Sequence, residues 1–488
     1  MSLLQHELTY HHDSAVLFEQ IAHQKWAMLL DSGQAINPAT GLAGSQYGRY
    51  DVMVAEPFIT LVTKDKCTQL TQNGQTSVSE DDPFVLLNDL LNQYKVSKNK
   101  TDLNKDAQAD YPFAGGALGY FAYDLARSIE KLPNIAAPAA DTPEMMVGFY
   151  DWAVVVDHRE KRCLLVSHGL TDAVKANWQA LCARFDVAVS NHSNQLSKSE
   201  FKVSSKIQSN LSQSEYFQAF AKIKSYIAAG DCYQVNLAQR FSAEVKGDSW
   251  QAYKKLREIS PAPFMAYMNL PLNESENFQV LSNSPERFLQ TDSDHVETRP
   301  IKGTRPRSLN AAQDLAYAQE LQNSLKDKAE NLMIVDLLRN DIGKNCTIGS
   351  VKADQLFQLQ SFANVHHLVS IVTGKLKLTA TAVDLLKGCF PGGSITGAPK
   401  LRAMQIIEEL EPHQRGLYCG AIGYIGFDGK MDTNIAIRTA VICRNQFSFY
   451  AGGGIVADSV AHKEYNETLD KASNLKAMLE HFSSVSKG

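Results

Sequence analysis

The stretch QFSFYAGGGIVADSVAHKEYNETLDKASNLKAMLEHF occupies residues 446–482 and combines the two patterns that decide the fold class. Its first part, 446–457, is strand-like, whereas 459–482 carries apolar residues at helical spacing. FQVLSNSPERFLQ (278–290) is a second strand-like run, and 311–339 is a second long helical pattern. Because strands and helices follow one another in irregular order, the sequence predicts a large α+β fold and not regular βαβ repeats.

The residues before 190 are also predicted to contribute strands. Three runs have the apolar character of buried or half-buried strands: YDVMVAEPFITLVT (50–63), FYDWAVVVDH (149–158) and KRCLLVSH (161–168). Two polar stretches interrupt the chain, and we interpret 95–110 as a solvated loop and 188–206 as a linker. The sequence is therefore divided into an N-terminal region, 1–190, and a C-terminal catalytic domain, 207–488.

A clear helix is predicted directly after that linker. Ser212 and Glu215 have the spacing of a capping box, in which each side chain bonds to the other's backbone N–H. Apolar residues then recur at helical spacing until Gly230, which is the residue type that most often ends a helix.

The overall composition excludes several classes of protein. The chain has 488 residues, with 48 Lys plus Arg against 53 Asp plus Glu, so its formal net charge is −5. This mild charge gives no reason to expect nucleic acid or an anionic membrane as a partner. No run approaches the roughly 20 apolar residues of a membrane span, and the N-terminus does not resemble a signal peptide. The eight cysteines form no CxxC pair, which is typical of reduced thiols in a cytoplasmic protein.

RPIKGTRPR (299–307) has four cationic residues within nine positions and is a candidate catalytic segment. A run of this kind is usually a solvated basic face. The alternative is that Pro300 and Gly303 hold Lys302 at a turn, where the neighbouring cations would lower the pKa of its ammonium group. A neutral lysine in such a place could act as a nucleophile.

Two helical segments carry carboxylates three residues apart. Asp327 and Glu330 share one helix face, and Glu464, Glu467 and Lys471 share another. Each face could simply be exposed to solvent. If the two faces meet, however, their oxygens would suit Mg²⁺, which usually keeps waters or substrate oxygens as further ligands.

Two glycine-rich segments, PGGSITGAPK (391–400) and YAGGGIVADS (450–459), each follow an apolar run and precede a helical pattern. Backbone N–H groups at a helix N-terminus can bind a carboxylate or phosphate, although a purely structural turn is the alternative. No cysteine lies in the G-x-C-x-G elbow of a glutaminase. If the chain uses nitrogen from glutamine, a partner has to release the ammonia.

Taken together and in this order, a set of motifs resembles the chorismate-utilising enzymes. The motifs are SPERFL (284–289), PIKGTRPR (300–307), ENLMIVDLLRNDIG (330–343), HHLVS (366–370), GGSITGAPK (392–400), YCGAIGY (418–424), IAIRTA (435–440), AGGGIVADS (451–459) and EYNETLDKA (464–472). WAMLLDS (26–32) and PFAGGALGY (112–120) look like the N-terminal region shared by anthranilate and aminodeoxychorismate synthases. The resemblance implies an interleaved α+β fold, with β-sheets packed as a sandwich and flanked by helices.

The same resemblance implies roles for individual residues. Glu330 and Glu467 would bind Mg²⁺, with Asp327 and Glu464 close by, and Glu286 would be the general acid. The implied substrate-binding residues are Gly303, Thr304, His367, Ser394, Tyr418, Arg438, Gly452, Gly454 and Lys471. Arg438 could hold a carboxylate with its bidentate fork.

Two positions distinguish the branches of this family. Lys302 replaces the alanine of the PIAGT motif of anthranilate synthases, and it resembles the lysine of the aminodeoxychorismate branch. Isochorismate and salicylate synthases have a lysine base in a motif like KVxLxR, where this chain has Gln234, which has no basic amine. The resemblance therefore implies amination of chorismate.

In that reaction Lys302 would attack C2 of chorismate while Glu286 protonates the departing 4-hydroxyl group. Glu286 must then be protonated at working pH, so we expect burial to raise its pKa. Ammonia, supplied by a glutaminase subunit in a heterodimer, would attack C4 and expel the lysine. The product would be 4-amino-4-deoxychorismate, on the path to 4-aminobenzoate and folate.

WAMLLDS has a further implication. In the anthranilate branch this segment belongs to a tryptophan pocket, so Leu30, Asp31 and Ser32, with Pro263 and Phe264, could form a similar pocket here. A packed or empty pocket is the alternative. Two other functions remain open from the sequence: an anthranilate synthase large subunit, which Lys302 argues against, and a chorismate-binding protein without turnover.

Overall fold

The computed structural model describes residues 3–33, 48–96, 111–138, 141–186, 199–273, 275–361 and 365–483. In chain order the strands are β1 Leu4–Leu8, β2 Ala27–Asp31, β3 Tyr50–Val54, β4 Ile59–Lys64, β5 Cys67–Gln72, β6 Gln75–Ser79, β7 Gly116–Phe121, β8 Met145–Tyr150, β9 Trp152–Asp157, β10 Arg162–Ser167, β11 Lys202–Val203, β12 Gln208–Ser209, β13 Gln234–Lys246, β14 Phe264–Pro271, β15 Asn277–Ser284, β16 Arg287–Asp292, β17 His295–Thr298, β18 Ile301–Pro306, β19 Lys352–Ser361, β20 Val365–Lys375, β21 Gly397–Ala398, β22 Ala421–Gly426, β23 Met431–Ile435, β24 Thr439–Cys443 and β25 Gln446–Ile455. The α-helices are α1 Ala15–Phe18, α2 Pro83–Gln93, α3 Asp172–Asp186, α4 Gln213–Ala229, α5 Ser249–Ile259, α6 Ala311–Asn323, α7 Leu325–Gly343, α8 Ala382–Cys389, α9 Lys400–Leu410 and α10 Ala461–His481, with 3₁₀ turns at Tyr123–Ser128 and Gly393–Ile395.

The strands form two large sheets. The first has the order β1-β10-β9-β3-β2-β14-β15-β24-β25-β13-β11, and β12 and β21 also pair with β13. The second has the order β18-β20-β17-β16-β23-β22-β7-β8-β4-β5-β6, and β19 pairs with β20. Neighbouring strands in both sheets are antiparallel, for example Met265 opposite Asp31 between β14 and β2.

The sheets pack face to face, with helices on their outer faces. Successive residues of a strand point to opposite faces, and β2 shows the result. Met28 belongs to the apolar cluster between the sheets, where it packs with residues of the second sheet such as Tyr120. Leu29 lies in the cluster on the outer face, together with residues of α5 and α10 such as Trp250 and Leu475. This arrangement confirms the predicted α+β sandwich flanked by helices.

Each sheet takes strands from both sides of the predicted division at 190–207. In the first sheet β2 pairs with β14, and in the second sheet β7 pairs with β22. The two regions 1–190 and 207–488 therefore share both sheets. Their division into separate domains stays a prediction. Most of the predicted loop, 97–110, and part of the predicted linker, 188–198, lie outside the described residues.

One predicted helix is present as expected, whereas two other predicted elements are each divided in two. The helix after the linker is confirmed as α4, with the Ser212–Glu215 capping box and with Gly230 in the left-handed conformation at its end. The pattern at 311–339 is two helices, because Ser324 leaves the helical conformation and caps α7. Likewise, 278–290 is two strands that are separated at Pro285 and Glu286. Within the described ranges no helix has both the length and the apolarity to cross a membrane.

Candidate active site

A cavity of about 840 Å³ opens beside β25 and β18, between helices α7 and α10. Its lining contains every residue that the sequence assigned to catalysis, substrate binding or metal binding: Glu286, Lys302, Gly303, Thr304, Asp327, Glu330, His367, Ser394, Tyr418, Arg438, Gly452, Gly454, Glu464, Glu467 and Lys471. These residues come from segments far apart in the sequence. The two-sheet fold therefore brings the predicted residues together, whereas their individual roles stay predictions.

Glu286 lies where the chain passes from β15 to β16. Its side chain is buried in the cavity wall, and the Ser394 hydroxyl donates a hydrogen bond to Glu286 Oε1 at 3.1 Å. Burial raises the pKa of Glu286 to about 7, although the Lys302 and Lys471 ammonium groups and the Ser394 hydroxyl favour the carboxylate. Arg438 and the Cys419 thiol also lie in its electrostatic surroundings. The predicted increase in the pKa of Glu286 is confirmed, with burial as its cause.

Lys302 lies in strand β18 and not at a turn. Gly303 has a φ of 79°, and the pairing of β18 with β20 shifts register between Lys302 and Thr304. Lys302 Nζ lies 2.9 Å from Glu330 Oε1. Burial lowers the pKa of Lys302, but the carboxylates of Glu330, Glu286 and Glu467 outweigh burial and raise it overall.

The expectation that neighbouring cations lower the pKa of Lys302 is therefore wrong for this structure. The neighbouring arginines bond to carboxylates of their own: Arg299 to Glu297 at 2.6 Å, Arg305 to Glu320 at 2.8 Å and Arg307 to Asp314 at 2.9 Å. The cations are therefore largely neutralised, and Lys302 faces the acidic side of the cavity. The raised pKa of Lys302 favours its ammonium form.

Four carboxylates face the cavity from two helices, and the members of each pair share one helix face, as the spacing predicted. Asp327 and Glu330 belong to α7, and Glu464 and Glu467 belong to α10. Gly453 of β25 allows close packing here, because a Cβ atom at this position would lie 3.2 Å from Glu467 Oε1 and 3.5 Å from Glu464 Oε2. Among the described residues no three His, Cys, Asp or Glu side chains converge closely enough to form a complete metal-binding group.

The two carboxylates of α10 have pKa values that shift in opposite directions. Burial raises the pKa of Glu464, and the nearby Glu467 carboxylate raises it further. Glu467 behaves in the opposite way, because the Lys471 ammonium lowers its pKa despite the effect of burial, with Lys471 Nζ at 2.7 Å from Glu467 Oε1. Lys471 Nζ also donates to the Gly452 carbonyl at 2.9 Å. The cavity thus combines carboxylates with a donor for an anion.

His367 and Arg438 complete the polar lining. His367 Nδ1 lies 2.9 Å from the Thr304 hydroxyl. Burial lowers the pKa of His367 to about 3, and the charge of Arg438 acts in the same direction, so the imidazole is neutral at physiological pH. Arg438 has a φ of 50°, a left-handed conformation that is uncommon outside glycine and is often found at functional sites.

Comparisons with known proteins show the family of the chain. The family model described as chorismate binding enzyme matches residues 54–477. The chain belongs to this family of chorismate-binding enzymes. It is 46% identical to aminodeoxychorismate synthase component 1 of Escherichia coli strain K12 over 464 residues, which are 95% of either chain. The corresponding Salmonella typhimurium protein is 45% identical over 464 residues, again 95% of either chain. Anthranilate synthase component I from Streptococcus pneumoniae TIGR4 has a similar structure, with a TM-score of 0.74, 31% identity and coverage of 90% of this chain and 94% of that one.

The glycine-rich segment of this chorismate-binding enzyme differs from the sequence interpretation. Gly452 and Gly454 lie within β25 and not in a turn at a helix N-terminus. A Cβ atom at Gly452 would lie 2.6 Å from the Leu237 carbonyl oxygen, and one at Gly454 would lie 2.6 Å from Gln234 Nε2. Glycine is therefore needed for close approach to β13. The PGGSITGAPK segment does lead into a helix, α9, as predicted.

Some cavity residues were not found from the sequence. Asn236 lines the cavity from β13, and Tyr450 stacks on Tyr418 with ring centroids 5.2 Å apart. Tyr450 is the first residue of the glycine-rich segment 450–459, which was the available signal, but Tyr418 is 32 residues away in the sequence and the stacking could not be inferred. Gln234, which distinguished the branches, is fully buried, and neither polar atom of its amide has a hydrogen-bond partner among the described residues.

A second cavity, of about 440 Å³, lies near the junction of the two sheets. It is lined by all five residues predicted for a tryptophan pocket: Leu30, Asp31, Ser32, Pro263 and Phe264. The Asp31 carboxylate bonds to Arg257 Nε at 2.5 Å and so is neutralised from α5. The Ser32 hydroxyl is buried and has no hydrogen-bond partner among the described residues. Pro263 lines both cavities.

Proposed function

We propose that the chain converts chorismate and ammonia to 4-amino-4-deoxychorismate for 4-aminobenzoate and folate synthesis. Its Escherichia coli and Salmonella typhimurium relatives are named aminodeoxychorismate synthase component 1. The observation that carries the proposal is the joint presence of Lys302 and Glu286 in the main cavity, with Ser394 bonded to Glu286. A lysine nucleophile and a buried acid are the two groups that a stepwise substitution at C4 requires.

The cavity offers separate groups to the two carboxylates of chorismate. Arg438 can form a bidentate pair with one of them, and Lys471 adds a positive charge beside the backbone of Gly452 and Gly454. The Tyr418 hydroxyl supplies a further donor. Together these groups would hold the ring between Lys302 and Glu286, so that the substrate arrives already oriented.

The reaction then follows from the positions of Lys302 and Glu286. Because the nearby carboxylates keep Lys302 as an ammonium group, it first passes a proton to the Glu330 carboxylate, whose Oε1 lies 2.9 Å from Lys302 Nζ. Its amine forms a bond to C2, both ring double bonds shift, and the C4–O bond breaks as Glu286 protonates the departing oxygen, which leaves as water. Ammonia next forms a bond to C4, both double bonds shift back, and the bond between Lys302 and C2 breaks. The new ammonium group on C4 returns a proton to the Glu286 carboxylate.

Mg²⁺ is the cofactor that we propose for this chain. Mg²⁺ is usually bound by one or two protein carboxylates, and waters and substrate oxygens complete its coordination. The four carboxylates on α7 and α10 suit that pattern, and Glu330 and Glu467 would hold the ion with Asp327 and Glu464 close by. When bound, the ion supplies positive charge that offsets the repulsion between these carboxylates and an anionic substrate.

We further propose a glutaminase subunit as partner in a cytoplasmic heterodimer. The names of the relatives, component 1, imply a second component. The sequence has no glutaminase elbow around its cysteines, and the described cysteines are without disulfide bonds. The partner would release ammonia from glutamine, whereas this chain would carry out the chemistry on chorismate.

Tryptophan is the ligand that we propose for the second cavity. The cavity combines the apolar Leu30 and Pro263 with the ring of Phe264, which can pack against an indole. The buried Ser32 hydroxyl could bond to the amino or carboxylate group of the amino acid.

Product analysis tests the main proposal. The purified chain is incubated with chorismate, Mg²⁺ and ammonium, and the products are separated by chromatography with mass detection. We expect aminodeoxychorismate without anthranilate. Anthranilate and pyruvate would contradict the proposal and would assign the chain to the other branch. Unchanged chorismate, with ammonium and with a glutaminase partner alike, would indicate a binding protein without turnover.

A further inference from the structure

Arg415 is a fully buried arginine directly behind the wall of the main cavity. It follows α9, and only 2% of its surface is exposed. Its Nε donates to Glu411 Oε2 at 2.9 Å, and its Nη2 donates to Glu411 Oε1 at 2.6 Å. The guanidinium also lies over the rings of Tyr123 and Tyr418, at 5.0 and 5.6 Å from their centroids. Arg415 does not line the cavity itself, so it cannot touch a substrate there.

The other hydrogen bonds of Arg415 reach two segments that do form the cavity wall. Nη1 donates to the Ile395 carbonyl at 3.0 Å, and Nη2 donates to the Asn236 carbonyl at 3.1 Å. Glu411 adds a connection of its own, because it accepts a hydrogen bond from the Ala238 N–H at 2.9 Å. One guanidinium thus joins the 3₁₀ turn Gly393–Ile395 to strand β13.

The connection to Ile395 bears directly on the proton donor. Ser394 immediately precedes Ile395 and donates its hydroxyl to Glu286 Oε1. Fixing the Ile395 carbonyl therefore fixes the backbone that carries the Ser394 hydroxyl. Arg415 also contacts Tyr418, because its guanidinium lies over the Tyr418 ring and the Tyr418 backbone N–H donates to the Arg415 carbonyl at 3.2 Å.

Stability alone is a poor reason for such a buried pair. Removing two charges from water costs free energy that their attraction often fails to repay, and apolar replacements can be as stable. Arginine does provide geometry, since its planar fork can bond a carboxylate and two carbonyls at once in fixed directions. Lysine carries the same charge but cannot reproduce that fork.

We propose that Arg415, fixed by Glu411, is a positioning residue that holds Ser394 against Glu286 and Tyr418 against the substrate. This inference rests on the proposed role of Glu286 as the acid of the reaction. The effect of Arg415 on the reaction is transmitted through Ile395 and Asn236, and not through contact with chorismate.

The proposal predicts the effects of Arg415→Lys. The turn that carries Ser394 would lose its anchor, and kcat would fall on the order of 10- to 100-fold, as is common for small displacements of reacting groups. Because the Ser394 hydrogen bond favours the carboxylate form of Glu286, its loss would raise the pKa of Glu286. Ser394→Ala would raise that pKa in the same way.

The experiment is a double-mutant cycle with Arg415→Lys, Ser394→Ala and both together. The titration of Glu286 is followed by pH-difference infrared spectroscopy in the full-length chain, and its carboxyl band is assigned by its loss in Glu286→Gln. This readout needs no turnover, so it tests the proposal even if product analysis assigns another reaction. We expect both single variants to shift the titration upward and the double variant to shift it no further than Ser394→Ala alone.

Two further variants keep the test decisive. If Arg415→Lys does not fold, Glu411→Gln replaces it, and we expect a smaller upward shift of the same titration. Leu165→Ala, in the outer-face core of β10, is the control for lost stability, and it should lower Tm without moving the titration. A wild-type titration with kcat within twofold of wild type in Arg415→Lys, or in Glu411→Gln when that variant replaces it, would overturn the proposal. Fully additive shifts in the double variant would overturn it as well.

Discussion

At the scale of single residues, Glu286 illustrates how the fold creates chemistry from an ordinary side chain. The carboxyl group of a glutamate in water has a pKa of about 4.3, so at neutral pH it is ionised and has no proton to donate. Pro285 and Glu286 connect β15 of the first sheet to β16 of the second sheet, and the Glu286 carboxyl lies in the buried wall of the cavity. Burial then outweighs two nearby ammonium groups and raises the pKa to about 7.

This pKa predicts a specific pH dependence. As the acid of the reaction Glu286 must be protonated, and its proton is lost as the pH rises through about 7. We therefore expect kcat to fall on the alkaline side with a midpoint near that value, shifted by bound substrate. Glu286→Gln should lower kcat by about 10²- to 10⁴-fold and remove this alkaline limb.

The measurement is kcat for chorismate consumption between pH 5 and 9, in buffers of constant ionic strength. Because free ammonia itself increases with pH, the concentration of ammonia and not of ammonium is held constant. Glu297→Gln serves as the matched control, since Glu297 pairs with Arg287 and Arg299 outside the main cavity. An unchanged alkaline limb in Glu286→Gln would show that another group is the acid.

At the scale of secondary structure elements, the packing of α10 against β25 decides where two carboxylates lie. Gly453 leaves no Cβ atom between the strand and the side chains of Glu464 and Glu467. Gly453→Ala would place a methyl group 3.2 Å from Glu467 Oε1, closer than ordinary van der Waals contact, so that the carboxylate has to move. We expect the Mg²⁺ concentration for half-maximal activity to rise several-fold, with at most a small change in Tm.

Gly343→Ala is the control for that experiment. Gly343 ends α7, the other carboxylate-bearing helix, and a Cβ atom there would meet nothing within 4 Å. This substitution should leave the Mg²⁺ dependence unchanged and could raise stability by a few tenths of a kcal/mol to about 1 kcal/mol. Equal Mg²⁺ dependence in Gly453→Ala and wild type would contradict the proposed role of α10 in binding the ion.

The same elements show what the sequence could and could not reveal. Helical spacing was sufficient to place Glu464, Glu467 and Lys471 on one face, because that relation is local. The ionisation of Lys302 could not be obtained in this way. Its basic neighbours are adjacent in the sequence, but the carboxylates that control its pKa come from β15–β16, α7 and α10, and only the folded chain brings them together. The second cavity likewise depends on the pairing of β2 with β14.

At the scale of the whole molecule, both sheets contain strands from the N-terminal and the C-terminal region of the chain. The strand pairs β2–β14 and β7–β22 join the region before 190 to the region after 207 in both sheets. Expressed alone, 1–190 and 207–488 would each expose long unpaired strand edges, which favour aggregation. We expect each fragment alone to be insoluble or unfolded by circular dichroism, and co-expression to recover soluble complex. A folded, monomeric 207–488 fragment would contradict this expectation.

The second cavity gives a further prediction for the intact molecule. If it holds tryptophan as proposed, native mass spectrometry of the freshly purified chain should show the added mass of one tryptophan. The added mass should disappear after unfolding and refolding without the amino acid, and it should return when tryptophan is supplied. A spectrum that shows the bare chain, with and without added tryptophan, would contradict this proposal and leave the main cavity unaffected.

The central claim is that Lys302 acts as the nucleophile of the amination, and intact-mass spectrometry after a rapid quench tests it most directly. The chain is mixed with chorismate and Mg²⁺ without any source of ammonia, so that the second step cannot proceed. We predict an adduct heavier than the chain by chorismate less one water, located on the peptide that contains Lys302 and missing in Lys302→Met. An unmodified chain, together with amination by Lys302→Met at close to the wild-type rate, would contradict the claim.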